Sequence, residues 1–171
     1  GFGRALALEV LAKGESVVVS ARNTKDVQDI VEKYPTNAIA LKLDVTIKED
    51  IANAVKQTMD RFGQIDVLVN NAGIGYFASV EESEEAEIRK MFEINVFGLA
   101  HMTQAVLPIM RQQKSGHILN IASIGGLRSF PGVGFYNATK YAVDGLSEAL
   151  YKEVNPLGIK VTIIAPSGFR T

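Results

Sequence analysis

Residues 16–46 read SVVVSARNTKDVQDIVEKYPTNAIALKLDVT, and the fold follows from the pattern in this stretch. It opens with a β-branched apolar run at 16–20, continues with apolar residues at helical spacing over 26–34, and closes with a second apolar run at 38–43. Short continuous apolar runs are typical of strands that are buried on both faces. The stretch therefore predicts a strand, a helix and a parallel strand, joined as a right-handed βαβ unit.

The same alternation continues along the chain. Further apolar runs predict strands at 67–70, 117–122 and 160–165. Apolar residues at three- and four-residue spacing predict helices at 4–13, 48–62, 84–113 and 135–154. Strands that alternate with helices predict an α/β fold, a doubly wound parallel sheet of the Rossmann type in a three-layer α/β/α arrangement. Ligands bind beyond the carboxyl ends of such strands, so functional residues are expected directly after each run.

The composition narrows the possible functions. With 171 residues, of which 47% are hydrophobic, the chain is predicted to form a single domain over 1–171. A net charge of −1 gives no electrostatic reason to expect nucleic acid or an anionic membrane surface as a partner. Because the chain has 2 histidines and no cysteine, no metal site is expected. The acidic cluster at 81–87 suits the first turn of a helix.

Signals for membrane insertion or export are not visible. No apolar run approaches the roughly 20 residues that a bilayer-spanning helix needs. The chain also shows no signal peptide, so a cytoplasmic protein is expected.

Two features early in the chain suggest nucleotide binding. Gly1 and Gly3 open an apolar helix, where a phosphate can approach the backbone, although an ordinary glycine-containing turn is an equal alternative. Arg22 follows the strand at 16–20, where a dinucleotide fold contacts the adenosine ribose. A guanidinium there suits the 2′-phosphate of NADP(H) and favours it over NAD(H), whereas a single arginine elsewhere is usually a solvated surface residue.

Polar residues follow the next strands as well. Asp44 can accept a hydrogen bond from an adenine amino group or, like its neighbour Thr46, cap the helix that follows. The run NNAG at 70–73 suits a ligand or a turn. Asn95 lies within an apolar helix, so a buried amide there is either a structural bridge or a site residue.

Three further polar residues are expected to converge on one cleft. Ser123 follows the strand at 117–122, while Tyr136 and Lys140 are one helical turn apart and share a helix face. A Tyr-x-x-x-Lys spacing alone is common on solvated helix surfaces. Ser123 at the carboxyl end of a strand, followed by a loop and the start of a helix, favours a shared site instead.

In order and spacing, these residues resemble the short-chain dehydrogenase/reductase family over essentially the whole chain, with the general character of its hydroxysteroid-dehydrogenase-like branch. The matching segments are GFG (1–3), LDVT (43–46), NNAG (70–73), Asn95, Ser123, YNATK (136–140) and PSGFRT (166–171). The resemblance implies a catalytic set of Asn95, Ser123, Tyr136 and Lys140. The residues expected to bind the cofactor are Gly1, Phe2, Gly3, Arg22, Asp44, Val45, Asn71, Ala72, Gly73, Tyr136, Lys140, Pro166, Gly168 and Thr171.

The sequence departs from the family pattern in three places. The first strand and the first glycine of the nucleotide loop are missing before Gly1. The glycine expected after Pro166 is Ser167, with Gly168 one position later. The chain also stops at Thr171, before the family's last strand and its substrate-covering segment. We therefore expect this chain to be part of a longer protein.

The resemblance implies an oxidoreductase that transfers a hydride between NADP(H) and a carbonyl or secondary alcohol substrate. Tyr136 is expected to be the general acid/base, with Lys140 favouring its phenolate, Ser123 donating to the substrate oxygen and Asn95 holding a relay water. Two alternatives remain. One is an NADP-binding sensor or scaffold without turnover, and the other is a nucleotide-sugar epimerase or dehydratase that uses a similar Tyr–Lys pair.

The substrate and the assembly are expected from less specific features. The segments 73–82 and 125–135 are expected to line the cleft, and their apolar side chains suggest a small lipophilic substrate. These side chains are Tyr76, Phe77, Leu127 and Phe130, some of which can instead pack in the core. The family leads us to expect a homodimer or homotetramer, with the helices at 84–113 and 135–154 as contact surfaces.

Overall fold

The computed structural model describes residues 1–168, which form two compact units, one spanning Gly1–Gln64 and the other beginning at Ile65. Within the described residues, the strand pairings of both units are parallel. The predicted α/β fold with parallel strands is therefore confirmed, while a single domain over 1–171 stays a prediction.

The first unit consists of helices alternating with strands. In chain order its elements are α1 (Phe2–Ala12), β1 (Val17–Ala21), a 3₁₀ turn (Thr24–Val27), α2 (Gln28–Lys33), β2 (Ala38–Lys42) and α3 (Lys48–Phe62). β1 and β2 form a parallel two-stranded sheet. The core of this unit joins Ala7 and Leu11 of α1 to Val19 of β1, Ile30 of α2 and Ala38 of β2.

The second predicted helix starts later than its apolar spacing suggests. The Asn23 side chain accepts a hydrogen bond from the Lys25 backbone N–H at 3.1 Å, and the chain first forms a tight 3₁₀ turn. By contrast, α3 covers the predicted range, and Gly63 directly follows its last residue. The φ of Gly63 is 74°, in the left-handed region that favours glycine.

The second unit is built around a three-stranded parallel sheet in the order β3-β4-β5. Its elements are β3 (Val67–Asn70), α4 (Glu85–Phe92), a π turn (Glu93–Gly98), α5 (Leu99–Gln113), β4 (Gly116–Ile121), a 3₁₀ turn (Ile124–Gly126), α6 (Gly134–Val154), a second 3₁₀ turn (Asn155–Leu157) and β5 (Ile159–Ile164). Glu85 and Glu87 occupy the first turn of α4, as the acidic cluster predicts. No helix within residues 1–168 is long and apolar enough to cross a membrane.

The long helix predicted over 84–113 is divided by the π turn at Glu93–Gly98. This wider turn inserts a residue into the helix and changes the direction of the side chains that follow. Asn95 lies in the turn with 2% of its surface exposed, and its side chain accepts a hydrogen bond from the Ile74 backbone at 2.8 Å. Apolar periodicity does not reveal the insertion, because the residues on either side keep their helical spacing.

A buried polar chain ties the sheet of the second unit to α6. The Asn70 side chain donates to Asn120 Oδ1 at 2.8 Å, and the Asn120 amide donates to Ser147 Oγ at 2.8 Å. Ser147 donates in turn to the Val143 carbonyl at 2.6 Å. Because these side chains are buried, each depends on the others to satisfy its hydrogen-bonding groups.

We expect Asn120→Leu to lower the free energy of unfolding by about 2–4 kcal/mol. The substitution leaves partners on both sides unsatisfied, and an unsatisfied buried polar group costs about 1–3 kcal/mol. Urea unfolding measures the change. Asn53→Leu, on the exposed surface of α3, is the control and should stay within about 0.5 kcal/mol of the parent. Equal losses in both variants would contradict a stabilising role for the chain.

Candidate active site

Ser123 lies just beyond the end of β4, at the start of the first 3₁₀ turn of the second unit. Its Oγ accepts a hydrogen bond from the Gly125 backbone N–H at 3.0 Å. A hydroxyl that accepts in this way keeps its own hydrogen for donation. The Ser123 side chain can therefore donate to an oxygen atom of a bound molecule.

Tyr136 and Lys140 lie in the first two turns of α6, on the common face that their spacing predicts. The Lys140 Nζ atom is 5.7 Å from the centroid of the Tyr136 ring. Lys140 is only 6% exposed, and its ammonium donates to the Ile121 carbonyl at 2.9 Å. The shared face is thus directed at the end of β4, and a solvated surface pair is excluded.

Two glycines mark where the candidate side chains meet. A β-carbon built at Gly125 would lie 3.3 Å from Tyr136 Cε1 and 3.4 Å from Ser123 Oγ. A β-carbon at Gly73 would lie 3.8 Å from Lys140 Nζ and 3.4 Å from Asn95 Oδ1. The structure therefore brings the four predicted catalytic residues together, beside the loop that follows β3 and the turn that follows β4.

The Asn95 side chain acts as a bridge, which is one of the two alternatives left open by the sequence. Its Nδ2 donates to the Ile74 carbonyl at 2.9 Å and to Thr139 Oγ1 at 3.2 Å, and its Oδ1 accepts from the Ile74 N–H at 2.8 Å. Thr139 Oγ1 donates to the Tyr136 carbonyl at 2.8 Å. Asn95 therefore joins the loop after β3 to the turn of α6 that carries Tyr136.

Lys140 and Asp144 are neighbouring charged groups, and burial opposes the charge of each. Burial lowers the pKa of Lys140, and the neighbouring Asp144 carboxylate partly opposes this effect. Burial raises the pKa of Asp144, which the Lys140 charge lowers and the Glu148 charge raises further. Among the described residues, neither oxygen of the Asp144 carboxyl group has a hydrogen-bond partner. Asp144 lies directly against Gly126, where any side chain would collide with its carboxyl group.

The two segments expected to line the cleft do come together. Ala78 and Val133 form a parallel β-bridge between them. Phe77 is 74% exposed, Leu127 is 65% exposed and Phe130 is 42% exposed, so these side chains lie outside the core. Tyr76 is different, because its hydroxyl accepts a hydrogen bond from the Glu84 backbone at the start of α4.

Most cofactor candidates of the second unit lie at the carboxyl ends of its strands. Asn71, Ala72 and Gly73 are exposed directly after β3. Pro166 follows β5, and its carbonyl accepts a hydrogen bond from the Ile124 N–H at 2.9 Å, which ties this loop to the turn of Ser123. Gly168 is exposed. The remaining candidate, Thr171, lies outside the described residues.

The other cofactor candidates belong to the first unit. Gly1 precedes α1, which begins at Phe2, so Gly1, Phe2 and Gly3 form the N-terminus of a helix. Arg22 is exposed directly after β1 and makes no hydrogen bond or ion pair with the residues that the structure describes. Val45 is half-buried after β2.

Asp44 does not cap the following helix. Its Oδ1 accepts hydrogen bonds from the backbone N–H and the hydroxyl of Thr46, at 2.9 Å and 2.7 Å. These two bonds hold the pKa of Asp44 below its usual value, with a smaller contribution from the Arg22 charge. The residue preceding α3 is Ile47, whose side chain makes no capping bond. Neither Asp44 nor Thr46 therefore caps α3, and Asp44 forms a local turn with Thr46 instead.

Sequence reasoning missed three polar residues of α6 that surround the candidate site. Asn137 and Thr139 are buried within the YNATK segment, and Asp144 lies one turn beyond Lys140. A polar residue inside an apolar helix is the signal that singled out Asn95, and it applies equally to Asn137. Among residues 1–168, no cluster of histidine, cysteine, aspartate or glutamate is arranged to hold a metal ion.

We expect Asp144→Asn to raise the melting temperature at pH 7. Because folding raises the pKa of Asp144, its stabilising contribution is complete below the unfolded pKa and is lost as pH rises through the folded pKa. The amide resembles the protonated acid, so the gain should fade as pH falls through the raised pKa of the folded state and be absent below the ordinary pKa of 3.8. Thermal melting across this pH range measures it.

Glu153→Gln is the matched control, because it removes an exposed carboxylate from the same helix. A melting temperature of Asp144→Asn at or below that of the parent at pH 7 would contradict this view of the buried carboxyl group.

The comparisons with known proteins agree on one family. The model of the short chain dehydrogenase family matches residues 1–171. The oxidoreductase BOA17 of Botryotinia fuckeliana is 40% identical over 172 residues, which cover 100% of this chain and 63% of the relative. The 3-ketodihydrosphingosine reductase of Bacteroides thetaiotaomicron is 39% identical, with 100% and 61% covered. The chain thus spans about three fifths of the length of these curated relatives.

Solved structures give the same result. A short-chain dehydrogenase from Streptomyces avermitilis superposes with a TM-score of 0.97 at 48% identity, covering 100% of this chain and 64% of its own. ElxO with NADP bound has a TM-score of 0.93 at 33% identity, with 98% and 69% covered. The 3-ketoacyl-(acyl-carrier-protein) reductase from Brucella melitensis, complexed with NADH, has a TM-score of 0.94 at 32% identity, with 98% and 71% covered. With a Rossmann-type α/β fold and a match along its whole length, this chain belongs to the short-chain dehydrogenase family.

Proposed function

We propose that the protein transfers a hydride reversibly between NADP(H) and a carbonyl compound or secondary alcohol. The observation that carries this proposal is the convergence of Ser123, Tyr136 and Lys140 around Gly73 and Gly125. The convergence unites a hydrogen-bond donor, a phenol and a buried cation at the carboxyl ends of parallel strands. When bound, the nicotinamide ring supplies the hydride chemistry and carries a positive charge in its oxidised form.

Tyr136 is the proposed general acid/base. A phenol has a pKa of about 10, so forming phenolate near pH 7 costs roughly 4 kcal/mol. One positive charge about 6 Å away contributes about 3 kcal/mol at an effective dielectric constant of 20. Lys140 lies at a distance of this order from the Tyr136 ring. A protonated Lys140 is therefore the group proposed to favour the phenolate of Tyr136.

Ser123 is the proposed donor to the substrate oxygen. Its Oγ already accepts from the Gly125 N–H, so the free hydrogen can stabilise negative charge as it develops on that oxygen. The proposed role of Asn95, to hold a relay water, is limited by its own hydrogen bonds. Both hydrogens of its amide are used, so a relay water can bond only to the second lone pair of Oδ1 or to the main-chain carbonyl.

Arg22 supports NADP(H) as the cofactor. It is exposed directly after β1 and has no hydrogen-bond partner among the described residues, so its guanidinium is available for a phosphate. The solved relatives include one with NADP and one with NADH, so the choice depends on residues of this chain. The remaining sequence-predicted cofactor residues are proposed contacts as well. They are Gly1, Phe2, Gly3, Asp44, Val45, Asn71, Ala72, Gly73, Tyr136, Lys140, Pro166, Gly168 and Thr171, the last of which lies outside the described residues.

We propose a lipophilic substrate and an oligomeric assembly. Exposed Phe77, Leu127 and Phe130 offer apolar surface on the two segments that the Ala78–Val133 bridge joins, which suits long-chain or steroid-like ketones. One curated relative is named as a 3-ketodihydrosphingosine reductase, which makes oxo-sphingoid compounds useful test substrates together with oxo-steroids. Tyr141 and Tyr151 on α6 are also exposed, which supports this helix as a contact surface in a homodimer or homotetramer.

Tyr136→Phe should lower turnover at least about 100-fold, because the proton donor is removed, and should leave NADPH binding intact. NADPH oxidation by the full-length protein, with a panel of ketones, measures turnover. Tyr34→Phe, at the C-terminal end of α2 in the first unit, is the control and should match the parent. Near-normal turnover by Tyr136→Phe would overturn the assignment, and absence of turnover by the parent would favour a binding protein.

Arg22→Ala should weaken NADPH binding about 10- to 100-fold, as expected for the loss of a charge-assisted hydrogen bond. NADH binding should change little, since NADH has no 2′-phosphate. Fluorescence titration of both cofactors measures the effect, with Lys48→Ala as a control that removes another exposed cation of the first unit. Equal affinity of the parent for NADH and NADPH would contradict the proposed preference.

A further inference from the structure

Asn137 follows Tyr136 on α6 and is 2% exposed. Its side chain bonds to the backbone of the segment 125–130 at both ends of that segment. Nδ2 donates to the Gly125 carbonyl at 2.9 Å, and Oδ1 accepts from the Phe130 N–H at 3.1 Å. One side chain therefore fixes the path of the loop that leaves the Ser123 turn.

The contact at Gly125 is close on both sides. A β-carbon at Gly125 would lie 2.8 Å from Asn137 Nδ2, so a side chain at this position would displace the amide. The N–H of the same glycine is the donor to Ser123 Oγ at 3.0 Å. Gly125 thus connects Asn137 to Ser123, because the amide holds its carbonyl while its N–H holds the serine hydroxyl.

The bond from Gly125 determines what the Ser123 hydroxyl can do. When one lone pair of Oγ is engaged, the hydroxyl hydrogen is directed away from the donor. A displaced Gly125 would release the hydroxyl to rotate, and its hydrogen would then be shared among several directions. Stabilisation of a developing oxyanion requires a donor that is already oriented.

We propose that Asn137 is a positioning residue, which orients the Ser123 hydroxyl toward the substrate oxygen by holding Gly125 and Phe130 in place. This inference rests on the proposed function of the site. Asparagine suits the position because it presents one donor and one acceptor on a short side chain. Aspartate has nearly the same shape, but as a carboxylate it cannot donate to the Gly125 carbonyl.

The test is a double-mutant cycle in the full-length protein, with Asn137→Asp, Ser123→Ala and the two changes combined. With Ser123 present, Asn137→Asp should lower kcat about 10-fold or more, since removing an oxyanion donor entirely costs about 100- to 1,000-fold. The affinity for NADPH should stay within about twofold of the parent. In the Ser123→Ala background, the same change should lower kcat by less than about threefold, because no hydroxyl remains to be positioned.

Asn137→Ala provides a second route to the same displacement, in case Asn137→Asp folds poorly. It removes both bonds to the loop without adding a charge and should show the same dependence on Ser123. Asn53→Asp on the surface of α3 is the control for the asparagine-to-aspartate change itself.

Equal losses of kcat in the presence and absence of Ser123 would overturn the inference, because they would indicate a general effect on folding. Unchanged kcat in both Asn137→Asp and Asn137→Ala would also overturn it. These outcomes differ from failure of the proposed function. That failure would appear as a parent protein without turnover, or as a Tyr136→Phe variant as active as the parent.

Discussion

The site depends on a buried ammonium group. Lys140 is 6% exposed, and an ammonium can remain charged there only if acceptors replace the lost water. The Ile121 carbonyl supplies one acceptor at 2.9 Å, so the charge is tied to the end of β4. The polar chain from Asn70 through Asn120 to Ser147 joins the same strand to the same helix. Fold stability and the position of the cation therefore depend on one strand–helix junction.

Asp144 is tightly packed at this junction. Its carboxyl oxygens have no hydrogen-bond partner among the described residues, and they lie directly against Gly126. A carboxylate beside Lys140 supports the protonated ammonium, yet its own burial opposes ionisation. Each group thus favours the charged form of the other, while burial favours the neutral form of both. The lysine has the better-satisfied position, because its ammonium donates to the Ile121 carbonyl whereas the Asp144 oxygens have no hydrogen-bond partner among the described residues.

Hydrophobic periodicity predicted most of the fold, since each strand is a short apolar run and each helix keeps its apolar spacing. It failed where local hydrogen bonds compete with the regular pattern, as at Asn23 and in the π turn that contains Asn95. The four-residue spacing of Tyr136 and Lys140 was sufficient to predict their common face. Asn137 carries the same signal as Asn95, a polar residue within an apolar helix, but its partners are backbone atoms of a loop, which residue types do not identify.

The β-bridge between Ala78 and Val133 has a consequence for how this kind of site diversifies. The bridge joins the two walls through main-chain atoms, so their separation does not rely on the side chains that line them. Larger, smaller or polar residues can therefore replace Phe77, Leu127 and Phe130 without changing the separation of the two segments. Val133 directly precedes α6, so the bridge lies three residues before Tyr136. Related proteins can thus differ in what enters the cleft while they share Tyr136, the proposed acid/base, unaltered.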